Sequence, residues 1–212
     1  MTDKLRWVFI RLALILILCF FFLSILVNRD IFRTFDYNFL LVLQNHLSRL
    51  FDIPFSLFSL AGSTEATILI LILLYFYFLF KRHHIFIGMA LYFLIFVVEV
   101  FGKMYINHPV TPEVFHRYAL SFSLPSGSII DTNFSYPSGH MARTSYIAII
   151  AFFIVFTSGW SKRMKKIIVL LIFSFMIMMF ISRIYLAEHW ISDVLGGMLL
   201  GAGIAFASLS FW

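Results

Sequence analysis

The sequence is poor in charge and in cysteine, and both shortages narrow the class of protein. Only 12% of its 212 residues are charged, against 62% hydrophobic and 19% aromatic, which lies well outside the composition of soluble proteins. Cys19 is the only cysteine, so an intrachain disulfide and a cysteine metal cluster are both excluded. Linkers, internal repeats and low-complexity tracts are also missing. The sequence therefore predicts one all-α, membrane-embedded domain over residues 1–212.

Six apolar stretches approach the length of about 20 residues that a helix needs to cross the hydrocarbon core of a bilayer. They cover residues 7–27, 64–80, 85–101, 137–157, 167–187 and 190–211. The first stretch follows basic residues, as a signal peptide would, but its apolar part is too long and no A-x-A-like cleavage site follows. We therefore expect a polytopic membrane protein with six transmembrane helices, the first of them retained.

Basic residues cluster at helix ends on what would be one side of the membrane. The clusters consist of Lys4, Arg6 and Arg11, then Lys81 and Arg82, then Lys162, Arg163, Lys165 and Lys166. The positive-inside rule makes this side cytoplasmic, so both termini are predicted inside and the long connections 28–63 and 102–136 outside. A basic stripe interleaved with exposed aromatics is absent, so the net charge of +6 indicates topology rather than nucleic-acid binding.

Part of the first long connection has the pattern of an amphipathic helix. Phe39, Leu43, Leu47 and Leu50 recur at helical spacing, and polar residues occupy the other side. Such a helix could lie in the membrane interface or pack on the helix bundle, and the pattern allows both.

The stretch FSYPSGHMAR places polar groups at the start of an apolar run. Pro137 suits the first helical position, and Ser138 and Gly139 would leave backbone N–H groups open at the positive end of the helix, where anions bind. His140 can carry a proton near neutral pH, and Arg143 projects from the same face. The stretch predicts a site that binds a phosphate and protonates its leaving group, although the same residues could also be a plain helix start.

A second polar stretch, SRIYLAEHWISDVLGG, joins the last two apolar runs. Arg183 lies near the outer end of one run, His189 at the entrance to the next, and Asp193 one turn further on. A carboxylate at this spacing can hold an imidazole in one tautomer and make its opposite nitrogen more basic. His189 is therefore a candidate nucleophile, and the alternative is an interfacial histidine near an aspartate. Ionisable groups beside membrane helices favour a functional role because their burial is costly.

A third group of polar residues lies at the outer end of the third apolar run. Lys103 follows Glu99 by one helical turn, and His108 comes shortly after. Lys103 could neutralise phosphate charge, or it could be an interface lysine whose ammonium group reaches water. We interpret His116 and Arg117 as solvated loop groups.

Together these stretches resemble the motifs of the type 2 phosphatidic acid phosphatase superfamily, whose integral-membrane members have six helices. The second family motif, Pro-Ser-Gly-His, is complete at residues 137–140. The third, Ser-Arg-x5-His-x3-Asp, is complete at residues 182–193. The first, Lys-x6-Arg-Pro, is degenerate, because Lys103 matches but Val110 and Thr111 occupy the Arg-Pro positions.

The resemblance implies a role for each matching residue. His189 would attack phosphorus to give a phosphohistidine, Asp193 would orient it, and His140 would protonate the leaving group. The phosphate oxygens would be bound by Lys103, Ser138, Gly139 and Arg183. Neither a metal ion nor another cofactor is implied.

The missing arginine of the first motif has two candidate substitutes. His108 lies on the same outer segment as Lys103 and could contact the phosphate when protonated. Arg143 could instead supply the charge from the fourth helix. We treat both residues as candidate phosphate ligands.

The resemblance implies a lipid phosphate phosphatase of the plasma membrane with an outward-facing site. Undecaprenyl diphosphate is the favoured substrate, and phosphatidylglycerophosphate, phosphatidate and lysophosphatidate are alternatives. Two other functions stay open: a lipid phosphotransferase and a non-catalytic transporter or scaffold on the same fold. A soluble haloperoxidase, which shares these motifs, is disfavoured by the six apolar stretches.

Overall fold

The computed structural model describes residues 2–79, 85–122 and 133–212, and these form helices and connecting turns without a strand. The α-helices are α1 Asp3–Asn28, α2 Arg33–His46, α3 Asp52–Ser59, α4 Thr64–Leu79, α5 Ile85–Ala90, α6 Phe93–Tyr105, α7 Gly139–Thr157, α8 Lys162–Tyr185 and α9 Ile191–Leu209. Short 3-10 turns occupy Arg49–Phe51, Leu60–Gly62 and Glu113–Phe115. The all-α prediction is confirmed. The predicted basic pair Lys81 and Arg82 lies outside the described residues.

In the described part of the chain, five helices are long and apolar enough to cross a membrane. They are Asp3–Asn28, Gly88–Tyr105, Gly139–Thr157, Lys162–Tyr185 and Ile191–Leu209. A sixth span arises if Arg49–Gly62 and Thr64–Phe76, which meet at an angle of 45°, count as one bent span. The predicted second span corresponds to α4, which has only 16 residues and is therefore short for a full crossing. The protein is thus a multi-pass membrane protein, and its described residues contain five or six candidate spans.

Helix α9 lies at the centre of the bundle and packs mainly against α7 and α1. Two glycines allow the close approach of α7. A Cβ atom at Gly201 would lie 2.0 Å from the carbonyl oxygen of Ala142, and one at Gly197 would lie 2.3 Å from that of Ser138. Small residues at membrane helix contacts let backbones approach in this way. The contact brings the first turn of α7, which carries His140, beside the first turn of α9, which carries Asp193.

The motif residues and the described basic clusters occupy opposite ends of the bundle. Ser24, near the end of α1, donates a hydrogen bond of 3.0 Å to the Tyr136 hydroxyl just before α7. Phe9, near the start of α1, packs edge-on against Phe153 near the end of α7, with ring centroids 5.6 Å apart. The starts of α1 and α8 therefore lie away from the motif end, and they hold the basic residues Lys4, Arg6, Lys162, Arg163, Lys165 and Lys166.

Helix α2 packs on the bundle, which decides between the two alternatives that the sequence left open. Phe39, Leu43 and Leu47 of the predicted apolar face are half-buried and pack against the core. The most deeply buried residues lie beside them and include the polar Asp36 and Gln44. Burial of Gln44 is possible because its side-chain amide donates to two backbone carbonyls at 2.8 Å each. Leu50, the last residue of the predicted pattern, lies beyond the helix and is 84% exposed.

Candidate active site

The start of α7 differs slightly from the prediction. The helix begins at Gly139, with Ser138 as its extended cap residue at φ −69° and ψ 110°, so the prediction that Pro137 is the first helical residue is wrong. The Ser138 N–H group is also not open, because it donates to the Asp193 carbonyl at 3.0 Å. Among the described residues, the N–H groups of Gly139 and His140 have no acceptor. These two groups, at the positive end of the helix, can receive an anion.

Arg183 at the end of α8 is buried with unused hydrogen-bonding capacity. Its Nη2 pairs with the Glu188 carboxylate. Its Nε and Nη1 have no partner within the described residues, and the same is true of the buried Ser138 hydroxyl. Buried donors are nearly always paired, because an unpaired one costs about 1–3 kcal/mol. A guanidinium edge with free donors suits a phosphate, which can accept two parallel hydrogen bonds from it.

His189 lies beside Arg183 and is oriented by Asp193. The Arg183 carbonyl accepts a hydrogen bond of 3.2 Å from the His189 N–H. The carboxylate Oδ2 of Asp193 lies 3.3 Å from His189 Nδ1 and accepts the Trp190 N–H at 3.0 Å. Since a carboxylate only accepts, Nδ1 carries the proton and Nε2 keeps its lone pair.

The electrostatic environment keeps His189 neutral. Burial lowers the pKa of His189 below its ordinary value, and Arg183 and Lys103 act in the same direction, against the effect of the Asp193 carboxylate. In the described part of the chain, Nε2 has no hydrogen-bond partner. At neutral pH the residue therefore presents an unprotonated ring nitrogen, which is the form a nucleophile requires.

His140 is the point at which the three motifs meet. Its ring makes no hydrogen bond to a described residue. Charged groups from α6, α7, α8 and the α8–α9 connection lie close enough to act electrostatically on its imidazole, namely those of Arg183, Arg143, His189 and Lys103. The structure thus brings together all the predicted residues of the second and third motifs with Lys103.

Glu99 is a member of this cluster to which the sequence analysis gave no role. Its carboxylate accepts from Lys103 Nζ at 2.8 Å and from Arg143 Nη1 at 2.6 Å. It also lies against Gly139, where a Cβ atom would come within 2.0 Å of its Oε1. Arg143 completes its contacts by donating to the Gly62 carbonyl at 3.4 Å. The spacing of Glu99 and Lys103 was visible in the sequence, but the pairing with Arg143 depends on how α6 packs on α7.

The structure gives His108 different partners from those that a phosphate contact requires. The residue is 3% exposed, with Nδ1 2.7 Å from Asp193 Oδ1 and Nε2 3.4 Å from Asp36 Oδ2. Burial lowers the pKa of His108, but the hydrogen bonds to Asp193 and Asp36 outweigh it and raise the pKa to about 9. The prediction of a phosphate ligand is therefore corrected, because two carboxylates already bind both ring nitrogens.

The next two polar loop residues lie away from the cluster. Arg117 stacks over the Tyr185 ring at 4.9 Å and donates to the Gln44 carbonyl at 3.2 Å, so it is packed and not fully solvated as predicted. His116 is exposed, and its Nε2 lies 3.1 Å from the Thr111 hydroxyl. Neither residue contacts the motif residues.

Comparisons with known proteins bear on the family and the fold. The sequence profile of the PAP2 superfamily matches residues 86–212. Phosphatidylglycerophosphatase B of Bacillus subtilis (strain 168) is 28% identical over 134 residues, which are 60% of this chain and 64% of that protein. The chain thus spans less than two thirds of the length of this curated relative.

Two crystal structures have a similar fold. One is described as the first transmembrane PAP2 type phosphatidylglycerolphosphate phosphatase from Bacillus subtilis, with a TM-score of 0.75 and 19% identity over 94% of both chains. The other is Aquifex aeolicus LpxE, with a TM-score of 0.58 and 21% identity over 82% of this chain and 93% of that one. At these identities the structural matches support the fold alone.

Proposed function

The chain belongs to the PAP2 superfamily, as its motifs indicated, and we propose that it is a membrane lipid phosphatase acting on phosphatidylglycerophosphate. One observation carries the proposal: the unpaired buried donors of Arg183 and Ser138 lie in the same cluster as His189 and His140. A phosphate group supplies the acceptors that these donors lack. Phosphoryl transfer depends mainly on positioning and charge neutralisation, which such a cluster provides.

The proposed reaction begins with attack of His189 on the substrate. The lone pair of Nε2 forms a bond to phosphorus while the bond from phosphorus to the glycerol oxygen breaks. The electron pair of that bond goes to the leaving oxygen, which takes a proton from His140. Asp193 holds the Nδ1 proton of His189 and balances the charge that develops on the ring.

A water molecule completes the reaction by attacking phosphorus on the opposite side to the bound histidine. His140, now unprotonated, accepts a proton from this water as the bond to Nε2 breaks. Inorganic phosphate leaves, and both histidines return to their starting protonation states. Lys103 and Arg183 neutralise the phosphate in both steps, together with the Ser138 hydroxyl and the Gly139 N–H. No step requires a metal ion or another cofactor.

The proposed substrate differs from the one that the sequence favours. From the sequence alone we expect undecaprenyl diphosphate, with phosphatidylglycerophosphate as an alternative. The name of the curated relative, phosphatidylglycerophosphatase B, now supports the alternative. We therefore propose a phosphomonoester of a glycerophospholipid as the substrate, with its alkyl chains in the bilayer and its phosphate at the motif end of the bundle.

We further propose that the site faces outward from the plasma membrane and that both chain ends are cytoplasmic. The described basic clusters support this orientation, because they lie at the end of the bundle opposite the motif residues. Cysteine labelling on a Cys19→Ser background tests it. A cysteine at the exposed position Ser48 should react with an impermeant reagent from outside, whereas one at Met164 should not. Labelling of position 164 from outside would refute the orientation. The loop position 130, the other natural choice, lies outside the described residues.

A substrate panel with purified protein in detergent tests the proposed activity. Phosphate release is measured for phosphatidylglycerophosphate, phosphatidate, lysophosphatidate and undecaprenyl diphosphate, with and without an added lipid alcohol as acceptor. We expect the highest kcat/KM for phosphatidylglycerophosphate and no acceptor requirement. A strict need for the acceptor would indicate a phosphotransferase, and the absence of release from every lipid would contradict the proposal.

A further inference from the structure

His108, Asp36 and Asp193 form a buried link directly behind the nucleophilic histidine. Asp193 uses one carboxylate oxygen for His189 and the other for His108, at 3.3 Å and 2.7 Å. The far side of the His108 ring faces Asp36 at 3.4 Å. Asp36 and Asp193 are almost fully buried, at 1% and 0% exposure. Two buried carboxylates need a compensating positive charge, and the imidazolium between them supplies it.

Asp36 is itself fixed to the helix that carries Asp193. Its Oδ1 accepts the Ser192 N–H at 2.9 Å, and its Oδ2 accepts the Ser192 hydroxyl at 2.8 Å. Because Ser192 and Asp193 are neighbours in the first turn of α9, both carboxylates are oriented by the same backbone. The link therefore closes a ring of contacts between α2, the α6–α7 connection and α9.

The backbone around His108 is held in place from two further directions. The Ser135 N–H donates to the His108 carbonyl at 3.0 Å. The Trp190 indole N–H donates to the Pro109 carbonyl at 2.7 Å. The backbone of His108 and Pro109 is thus tied by hydrogen bonds to Ser135 and to Trp190, next to the first turn of α9. Rigid mounting of this kind is what supporting residues of catalytic groups require.

We propose that His108, anchored by Asp36, is a positioning residue that holds Asp193 in the orientation required by the nucleophile His189. The proposal rests on the proposed phosphatase reaction. Without His108, Oδ1 of Asp193 would be a buried acceptor with no donor, and the carboxylate would turn to find one. The ring of His189 would then lose its fixed orientation, which matters because small misplacements of reacting groups reduce rates strongly.

This role differs measurably from a phosphate contact. A residue that binds phosphate in the ground state changes KM when it is removed, whereas one that aligns the nucleophile changes kcat. Both ring nitrogens of His108 face carboxylates, so the link predicts an effect on kcat with KM nearly unchanged.

Two conservative variants separate the two ends of the link. In His108→Asn the side-chain amide nitrogen can replace Nδ1 and still donate to Asp193, whereas in His108→Gln it can replace Nε2 and donate only to Asp36. We expect kcat to fall by less than about 10-fold in His108→Asn and by about 100-fold in His108→Gln, with KM within about twofold in both. Asp36→Asn should lower kcat in the wild-type background but not further in His108→Gln, because the link is already broken there.

A second readout is independent of turnover. Histidine ¹⁵N NMR of the whole protein in detergent reports the tautomer and titration of His189. We expect the His189 resonance to move in His108→Gln and to stay in place in His108→Asn, with both variants monodisperse and with similar Tm values below that of the wild type, because both lose the imidazolium charge. An inactive wild type would contradict the proposed phosphatase, and the NMR comparison would still test the positioning role. Equal kcat values and unchanged His189 resonances in both variants would overturn the positioning role, as would a change confined to KM.

Discussion

Removal of the Arg183 guanidinium should make the unliganded protein more stable and the enzyme nearly inactive. Arg183→Met keeps most of the side-chain length and removes the two buried donors that have no partner among the described residues. Each such donor costs about 1–3 kcal/mol. The variant also loses the pair with Glu188, whose side chain is 28% exposed, and a pair of that kind contributes about 1 kcal/mol. The two donors together cost about 2–6 kcal/mol, so the expected net effect after loss of the pair is a stabilisation of about 1–5 kcal/mol, or about 2–20 °C in Tm.

The same change should remove two charge-assisted hydrogen bonds to the phosphate. Bonds of this class contribute about 1.5–3 kcal/mol each, so kcat/KM should fall by about 10²–10⁴-fold. Inorganic phosphate should raise the Tm of the wild type and leave that of Arg183→Met unchanged, because a ligand stabilises only the state that binds it. A rise in Tm together with a fall in kcat/KM in Arg183→Met would show that the Arg183 guanidinium serves phosphate binding and does not stabilise the fold.

The assay is a thermal melt in detergent with and without phosphate, combined with phosphate release from phosphatidylglycerophosphate. Arg117→Met is the matched control, since Arg117 donates to the Gln44 carbonyl and packs on Tyr185 away from the motif residues. It should lower Tm and leave kcat/KM near the wild-type value. A lower Tm together with near-normal kcat/KM in Arg183→Met would refute the reasoning, because it would make Arg183 a structural residue.

Three further predictions concern the leaving group, pH and packing. His140→Ala should lose turnover of lipid phosphates but retain much of it for aryl phosphates, whose leaving groups need no proton; equal losses for both substrates would contradict a general-acid role. The pKa of His108 is raised from 6.5 to about 9. Protonated His108 therefore stabilises the fold fully below about pH 6.5, and this stabilisation is lost as pH rises through about 9. The Tm of the wild type should fall over this pH range more steeply than that of His108→Gln. Gly201→Ala should lower Tm by several degrees, because its Cβ would lie 2.0 Å from the Ala142 carbonyl oxygen. Gly159→Ala is the control and should leave Tm unchanged, because a Cβ there would have no atom within 4 Å. Equal effects of the two changes on Tm would disprove the packing argument.

The parts of the site that could be predicted from sequence are those whose chemistry is local. Ser138, Gly139 and His140 follow one another at a helix start, and His189 and Asp193 are one turn apart, so the sequence alone indicated their relation. The positions of the long apolar helices were predictable for the same reason, because a span is a local property of composition.

The remaining contacts depend on tertiary packing and have no sequence pattern. Asp36 belongs to a helix of the first long connection and meets His108 only because α2 packs against α9. The predicted pattern begins at Phe39 and does not include Asp36, and nothing local reveals that the Asp36 carboxylate is paired. His108 was assigned to the phosphate for a similar reason: its charge was predictable, but the carboxylates that bind it were not.

Phosphate release from phosphatidylglycerophosphate by the purified wild type and by His189→Asn tests the central claim most directly. The asparagine can keep a hydrogen bond to Asp193 but has no ring nitrogen with which to attack phosphorus. We predict steady release by the wild type and by the Arg117→Met control, and loss of release in His189→Asn while the variant retains its fold and its stabilisation by inorganic phosphate. Release by His189→Asn at a rate close to that of the wild type would contradict the assignment of this cluster as the catalytic site.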